Sequence, residues 1–205
     1  MNFLAHLFLS GKNEEVMVGN LLEDFVVGRI EHQRNVVYNQ TLKNGILLHR
    51  LIDTFTDTNH AVSDCKVVLY EKYHKYAAVL IDIFFDHYLA IHWQEYSNEP
   101  FDEFRQRVYT TFQNHWSILP DKMKPMIESM IKHDWLNNYS EFWGIERALL
   151  SISRRTKYES NMQKATADLK INYQLFDEKF CIFFPKLMLE CNQFLSEKGY
   201  NNLNI

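Results

Sequence analysis

The chain has 205 residues, a formal charge of −4, and 46% hydrophobic and 15% aromatic residues. That length suits one well-cored domain, expected to span 1–205, and that charge gives no electrostatic ground for a nucleic-acid partner. Six glycines and four prolines are too few for a turn-dense all-β design, so the expectation is an all-α fold, a single compact multi-helix domain.

The opening run Met1-Asn2-Phe3-Leu4-Ala5-His6-Leu7-Phe8-Leu9 predicts a short apolar helix; it has no preceding cation and carries a histidine, unlike a signal peptide. Gly11-Lys12-Asn13 breaks it, and a second helix is predicted over 14–27, ending at Gly28, with Asn20, Glu23 and Asp24 at helical spacing. The third spans about 36–58, with Leu42, Ile46, Leu47, Leu51, Ile52 and Phe55 as its apolar positions and His49, Asp53 and Asp57 on one stripe. Ser63 is expected to cap a long pattern reaching about residue 96, bent near 73–76 and holding Asp82, Asp86, His87 and His92.

A further amphipathic helix follows over 101–118, then one that Pro120 opens and Pro125 limits. The next runs from 140 or 141 to 155, ending in Arg154-Arg155-Thr156-Lys157, and the last from 161 to 197 divides near Asn172, with a kink or offset start at Pro185. No run approaches the ~20 apolar residues that cross a bilayer. Cys65, Cys181 and Cys191 lack the paired spacing of a zinc or redox motif, which suits a reducing, cytoplasmic setting without membrane insertion.

Asp24, His49, Asp53, Asp86 and His87 stand on three successive helical segments, where apolar residues would pack more cheaply. Taken one at a time, each histidine reads as a hydrogen-bonded core residue, and a salt-bridge network is the structural alternative for the set. As a set, imidazole and carboxylate without thiolate suit Mn²⁺, Mg²⁺ or Fe²⁺, and such a site suits phosphate-ester hydrolysis. The Glu-x-x-His pairs of a di-iron bundle do not occur near His49 and His87. Arg154-Arg155 is able to hold a phosphate in bidentate fashion, within a segment from Arg147 to Lys170 that is locally basic. The aromatic residues Phe84, Phe85, Tyr88 and Trp93 read as core.

Five blocks in register carry a resemblance. They are Met1-Asn2-Phe3-Leu4-Ala5-His6, Gly19-Asn20 through Asp24-Phe25, Gly45-Ile46 with His49-Arg50 and Ile52-Asp53, Asp82 with Asp86-His87 and His92-Trp93, and Ser153-Arg154-Arg155. Together they resemble the acyl carrier protein phosphodiesterase family, a manganese-dependent group held to be a remote relative of the HD phosphohydrolases. The resemblance implies an HD-phosphohydrolase-like fold and an enzyme that removes 4′-phosphopantetheine from the serine of holo-acyl carrier protein. It implies Asp24, His49, Asp53, Asp86 and His87 as metal and catalytic residues, with Mn²⁺ the expected metal. Arg50 with Arg154 or Arg155 would steady the anionic oxygens, and His6 or His92 would act as the second acid. Asp86-His87 reverses the His-Asp order for which the HD superfamily is named, so ligand assignments do not carry across that relationship. The alternatives are an HD-like phosphohydrolase of a nucleotide or other small phosphodiester, and a non-catalytic helical module that binds carrier protein.

Overall fold

Three asparagines open three helices by one device. The side chains of Asn13, Asn39 and Asn59 accept from the backbone N–H groups of Val16, Leu42 and Ala61, starting α2 (Glu14–Leu22), α3 (Gln40–Thr58) and α4 (His60–Tyr73). Asn59 thus takes the capping role expected of Ser63, which lies inside α4 with its hydroxyl on the Asn59 carbonyl.

The computed structural model describes residues 1–26, 28–30 and 37–200, and every regular element among them is helical. The expected helix limits at Val27 and Val36 lie outside the described residues. Besides α1 (Phe3–Leu9), the chain forms α5 (Ala77–Ile91), α6 (Trp93–Tyr96), α7 (Phe101–Asn114), α8 (Lys124–Lys132), α9 (Trp135–Asn138), α10 (Phe142–Ser153), α11 (Thr166–Ile171) and α12 (Tyr173–Glu197). The bend expected at 73–76 is a 3-10 turn, His74–Tyr76. Pro120 does not open α8; that helix starts at Lys124 with Pro125 in its first turn, where a missing N–H costs no helical bond. The break expected near Asn172 separates α11 from α12, and α12 continues through Pro185.

The core is aromatic where α5 meets α12. Phe84, Phe85 and Tyr88 are fully buried with Phe176, Phe180, Phe183 and Phe184, as the core reading expected. Each such ring withdrawn from water contributes about 1.5–3 kcal/mol, which offsets the hydrogen bond Pro185 cannot make. No helix among the described residues is long and apolar enough to cross a membrane.

Two glycines set the approach that matters for function. A Cβ on Gly19 would stand 2.1 Å from the Leu42 carbonyl oxygen, and one on Gly45 would stand 2.2 Å from that of Val16. Only glycine at both positions lets α2 and α3 pack backbone to backbone.

Candidate active site

That close approach sets Asn20 of α2 beside His49 of α3, and α1 adds His6. The Asn20 amide nitrogen donates to the His6 carbonyl at 3.0 Å and to Ser10 Oγ at 2.9 Å, which fixes the orientation of the amide. Its Oδ1 then faces Nδ1 of His6 at 3.0 Å and Nδ1 of His49 at 3.1 Å, and the Asn20 carbonyl lies 2.9 Å from the latter. Amide oxygens only accept, so both histidines donate from Nδ1. In the neutral rings each Nε2 therefore carries a lone pair.

Those two nitrogens converge. The rings stack with centroids 4.0 Å apart, and Asp53 lies 3.3 Å from His6 Nε2 and 3.1 Å from His49 Nε2. Asp24, on the 3-10 turn after α2, is 3.9 Å from His49 Nε2. All four side chains line an open cavity of about 320 Å³, together with Asp57 and Asp82.

The electrostatics follow from burial and partners. Burial, followed by the nearby charges of His49 and the terminal amine, lowers His6 to about 4. Burial also lowers His49, but the Asp53 hydrogen bond and the Asp53, Asp24 and Glu23 charges outweigh it and raise its pKa. Burial raises Asp53, but the two histidine bonds reverse that and hold it well below the usual carboxylate range. Partial burial keeps Asp24 above its ordinary value. With no cation bound, the extra proton belongs on His49, opposite an ionised Asp53.

The donor set fits a divalent cation. Ligand atoms of His6, His49 and Asp53 lie within 4.8 Å of one another, as do those of Glu23, Asp24 and His49. Imidazole orientation by a second residue, here Asn20, is the usual arrangement behind a metal-binding histidine.

The sequence of this chain matches the profile of one family, described as acyl carrier protein phosphodiesterase, over residues 1–187. A protein of that name from Serratia proteamaculans (strain 568) is 30% identical over 191 residues, covering 92% of this chain and 96% of its own. Another from Enterobacter sp. (strain 638) is 30% identical over 194 residues, with 93% and 97% covered. The chain belongs to the acyl carrier protein phosphodiesterase family. No solved structure matches it.

Of the residues expected to serve phosphodiester hydrolysis, the structure brings together Asp24, His49, Asp53 and His6. It does not bring Asp86 and His87 to them. Asp86 is fully buried and accepts from the backbone N–H groups of Asn2, Leu4 and Ala5 at 3.2, 2.7 and 3.3 Å, so its carboxylate serves as the N-terminal cap of α1. His87 spends both ring nitrogens, Nδ1 on the Tyr139 carbonyl at 2.7 Å and Nε2 on the Tyr173 hydroxyl at 2.9 Å. His92 lies between Glu95 and Asp177, away from the cavity. Arg50 binds Glu23 and the Gly28 carbonyl, Arg155 lines a second cavity, and Arg154 is exposed at the end of α10.

Asn20 is the site residue that sequence reasoning left without a role. Its signal was present: a wholly apolar stretch of α2 holds one amide, next to a glycine, one helical turn before Asp24. An uncapped asparagine inside a helix has no local reason to be there.

Proposed function

We propose that the chain hydrolyses the phosphodiester between 4′-phosphopantetheine and the serine of holo-acyl carrier protein, releasing the apo protein. The observation that carries this reading is the convergence of His6 Nε2, His49 Nε2 and the Asp53 carboxylate on one open cavity, in a member of this family. His6, His49 and Asp53 would hold a divalent metal, Mn²⁺ first and Mg²⁺ or Fe²⁺ next, because the donors are imidazole and carboxylate without thiolate. When bound, such an ion acidifies water and neutralises phosphoryl charge.

The chain's own residues supply the rest. Asn20 keeps both imidazoles in the tautomer that presents Nε2 to the cavity. Asp24, which lines the cavity 3.9 Å from His49 Nε2, would hand a proton to the serine Oγ as the P–O bond breaks. Arg154 and the basic segment from Arg147 to Lys170 attract the acidic carrier protein. We place the fold with the HD phosphohydrolases because histidine and aspartate side chains meet at one cavity of an all-helical domain.

The test is incubation of the purified protein with Mn²⁺ and holo-acyl carrier protein, followed by mass analysis of the carrier. Loss of the whole phosphopantetheine mass is the expected result; an unchanged carrier at every enzyme concentration overturns the substrate assignment. Mn²⁺ at a hundredfold excess over Kd should also stabilise the wild type by about 2.7 kcal/mol and raise its melting temperature. It should not raise that of Asp53→Ala.

A further inference from the structure

Beside the candidate active site lies a second cavity, of about 210 Å³, between α1 and the α8 to α10 region. Asn2 and Phe3 line both cavities, so one wall separates them. We propose that this second cavity is the subsite for the pantetheine arm of the substrate, a slender aliphatic chain with two amides and a terminal thiol. The inference rests on the phosphodiesterase reading above.

Adjacency is the first argument. An arm whose phosphorus sits at His6, His49 and Asp53 meets this cavity across Asn2 and Phe3. A third cavity, lined by Arg50, Leu51, Thr54, Phe55, Thr58 and Glu190, shares no residue with the first.

The lining offers both kinds of surface that the arm presents. Phe3 and Trp135, with ring centroids 6.0 Å apart, and Ile152 present apolar surface to methyl and methylene groups. Asn138, Ser151 and Arg147 present hydrogen-bonding groups to the amides. Arg147 has no hydrogen-bond or ion-pair partner among the described residues, so its guanidinium is available to a carbonyl oxygen of the arm.

The wall is built in advance. Asp86 accepts from the Asn2 backbone N–H, the Asn2 side chain donates to the Tyr139 hydroxyl at 2.9 Å, and His87 donates to the Tyr139 carbonyl. The Asp86-His87 doublet thereby acts as a positioning pair for the partition between phosphodiester and arm. Binding energy gained on the arm is then available to orient the phosphodiester at the reacting centre, which favours this substrate over an ester without an arm.

The experiment uses full-length protein loaded with Mn²⁺. Pantetheine, which lacks the phosphate, is titrated calorimetrically into the wild type and used as an inhibitor of holo-carrier turnover. Binding with competitive inhibition is expected; no heat and no inhibition overturn the subsite. Ala148→Phe fills the cavity from α10, and Ile152→Trp narrows it. Each should weaken pantetheine binding and raise the KM for holo-carrier by about tenfold or more. The ratio of kcat/KM for holo-carrier to that for bis(p-nitrophenyl) phosphate, an ester with no arm, should fall by the same factor. Unchanged KM and unchanged ratio in the folded variants overturn the subsite while apo-carrier release upholds the phosphodiesterase reading. Pantetheine binding by a wild type that leaves holo-carrier intact has the reverse meaning; if neither variant folds, the wild-type titration decides.

Discussion

His49 with Asp53 and Asp86 with His87 are built from the same two functional groups, and both pairs include buried polar atoms, yet the structure uses them in opposite ways. Asp86 has three backbone N–H donors and His87 has a partner on each nitrogen, so both are satisfied by the protein itself. At the other pair the protein satisfies only one side of the imidazole. Asn20 takes Nδ1, and Nε2 is left facing Asp53 and an open cavity. Residue type and burial do not distinguish a ligand from a strut; the destination of each lone pair does.

The largest expected effects are the ones that separate these two pairs. His49→Ala or Asp53→Ala should each lower kcat/KM for holo-carrier by about 10²–10⁴-fold, with the melting temperature moving by only a few degrees, because both side chains end at the open cavity where water can fill the space they leave. Steady-state kinetics beside thermal melts checks this. Asp86→Ala should do the converse. It strands three N–H groups at the start of α1, at a cost of about 3–5 kcal/mol, which for a chain of this size lowers the melting temperature by roughly 10 °C. An Asp86→Ala protein that melts like the wild type but no longer responds to Mn²⁺ would move Asp86 into the metal-binding set and break the comparison.

A pH series on the same carboxyl sharpens it. Burial raises Asp86 from its ordinary 3.8 to about 7, against the opposing pull of the terminal amine and the three backbone donors. A native-state acid with a raised pKa binds more protons folded than unfolded between those values, so its contribution to stability falls as pH rises through that window. Asp86→Asn, neutral throughout, removes this dependence. The stability of wild type minus that of Asp86→Asn, from urea titrations, should therefore decrease from about pH 4 to about pH 7 and level off above. A difference that stays flat from about pH 5 to about pH 7 would mean the carboxylate is ionised when folded at all these values.

Much of the fold was legible because it rests on local signals. The break at Gly11, the bend at 73–76 and the division at Asn172 all follow from short-range preferences, and they stand where the pattern put them. The start of α4 was misread because Ser63 and Asn59 are both good caps, and only the chain direction before Asn59 decides between them. Within the site, the i, i+4 spacing was enough to put His49 and Asp53 on one face. The separation of Asp86 from them was not legible. Adjacent helix positions point about 100° apart, so Asp86 and His87 reach different neighbours here, and which of them faces α1 depends on how α1 crosses α5. His6 entered the site for the same nonlocal reason, through the Asn20 amide of α2, which binds the His6 carbonyl and Nδ1 of α1.

The smallest effect belongs to Arg50, one residue from His49 and on a different face of α3. Its guanidinium holds Glu23 at 2.8 Å and the Gly28 carbonyl at 3.2 Å, and it borders a cavity that shares no residue with the one at His49. The ion pair is partly exposed, so Arg50→Ala should cost no more than about 1 kcal/mol in a urea titration. If its side chain stays committed to Glu23 during turnover, Arg50 stabilises no charge that develops at phosphorus, and kcat should move less than about tenfold. A fall in kcat as large as that of His49→Ala would show that Arg50 exchanges Glu23 for the substrate during turnover. Glu23→Gln should then raise kcat by freeing the guanidinium, an outcome that a purely structural ion pair does not produce.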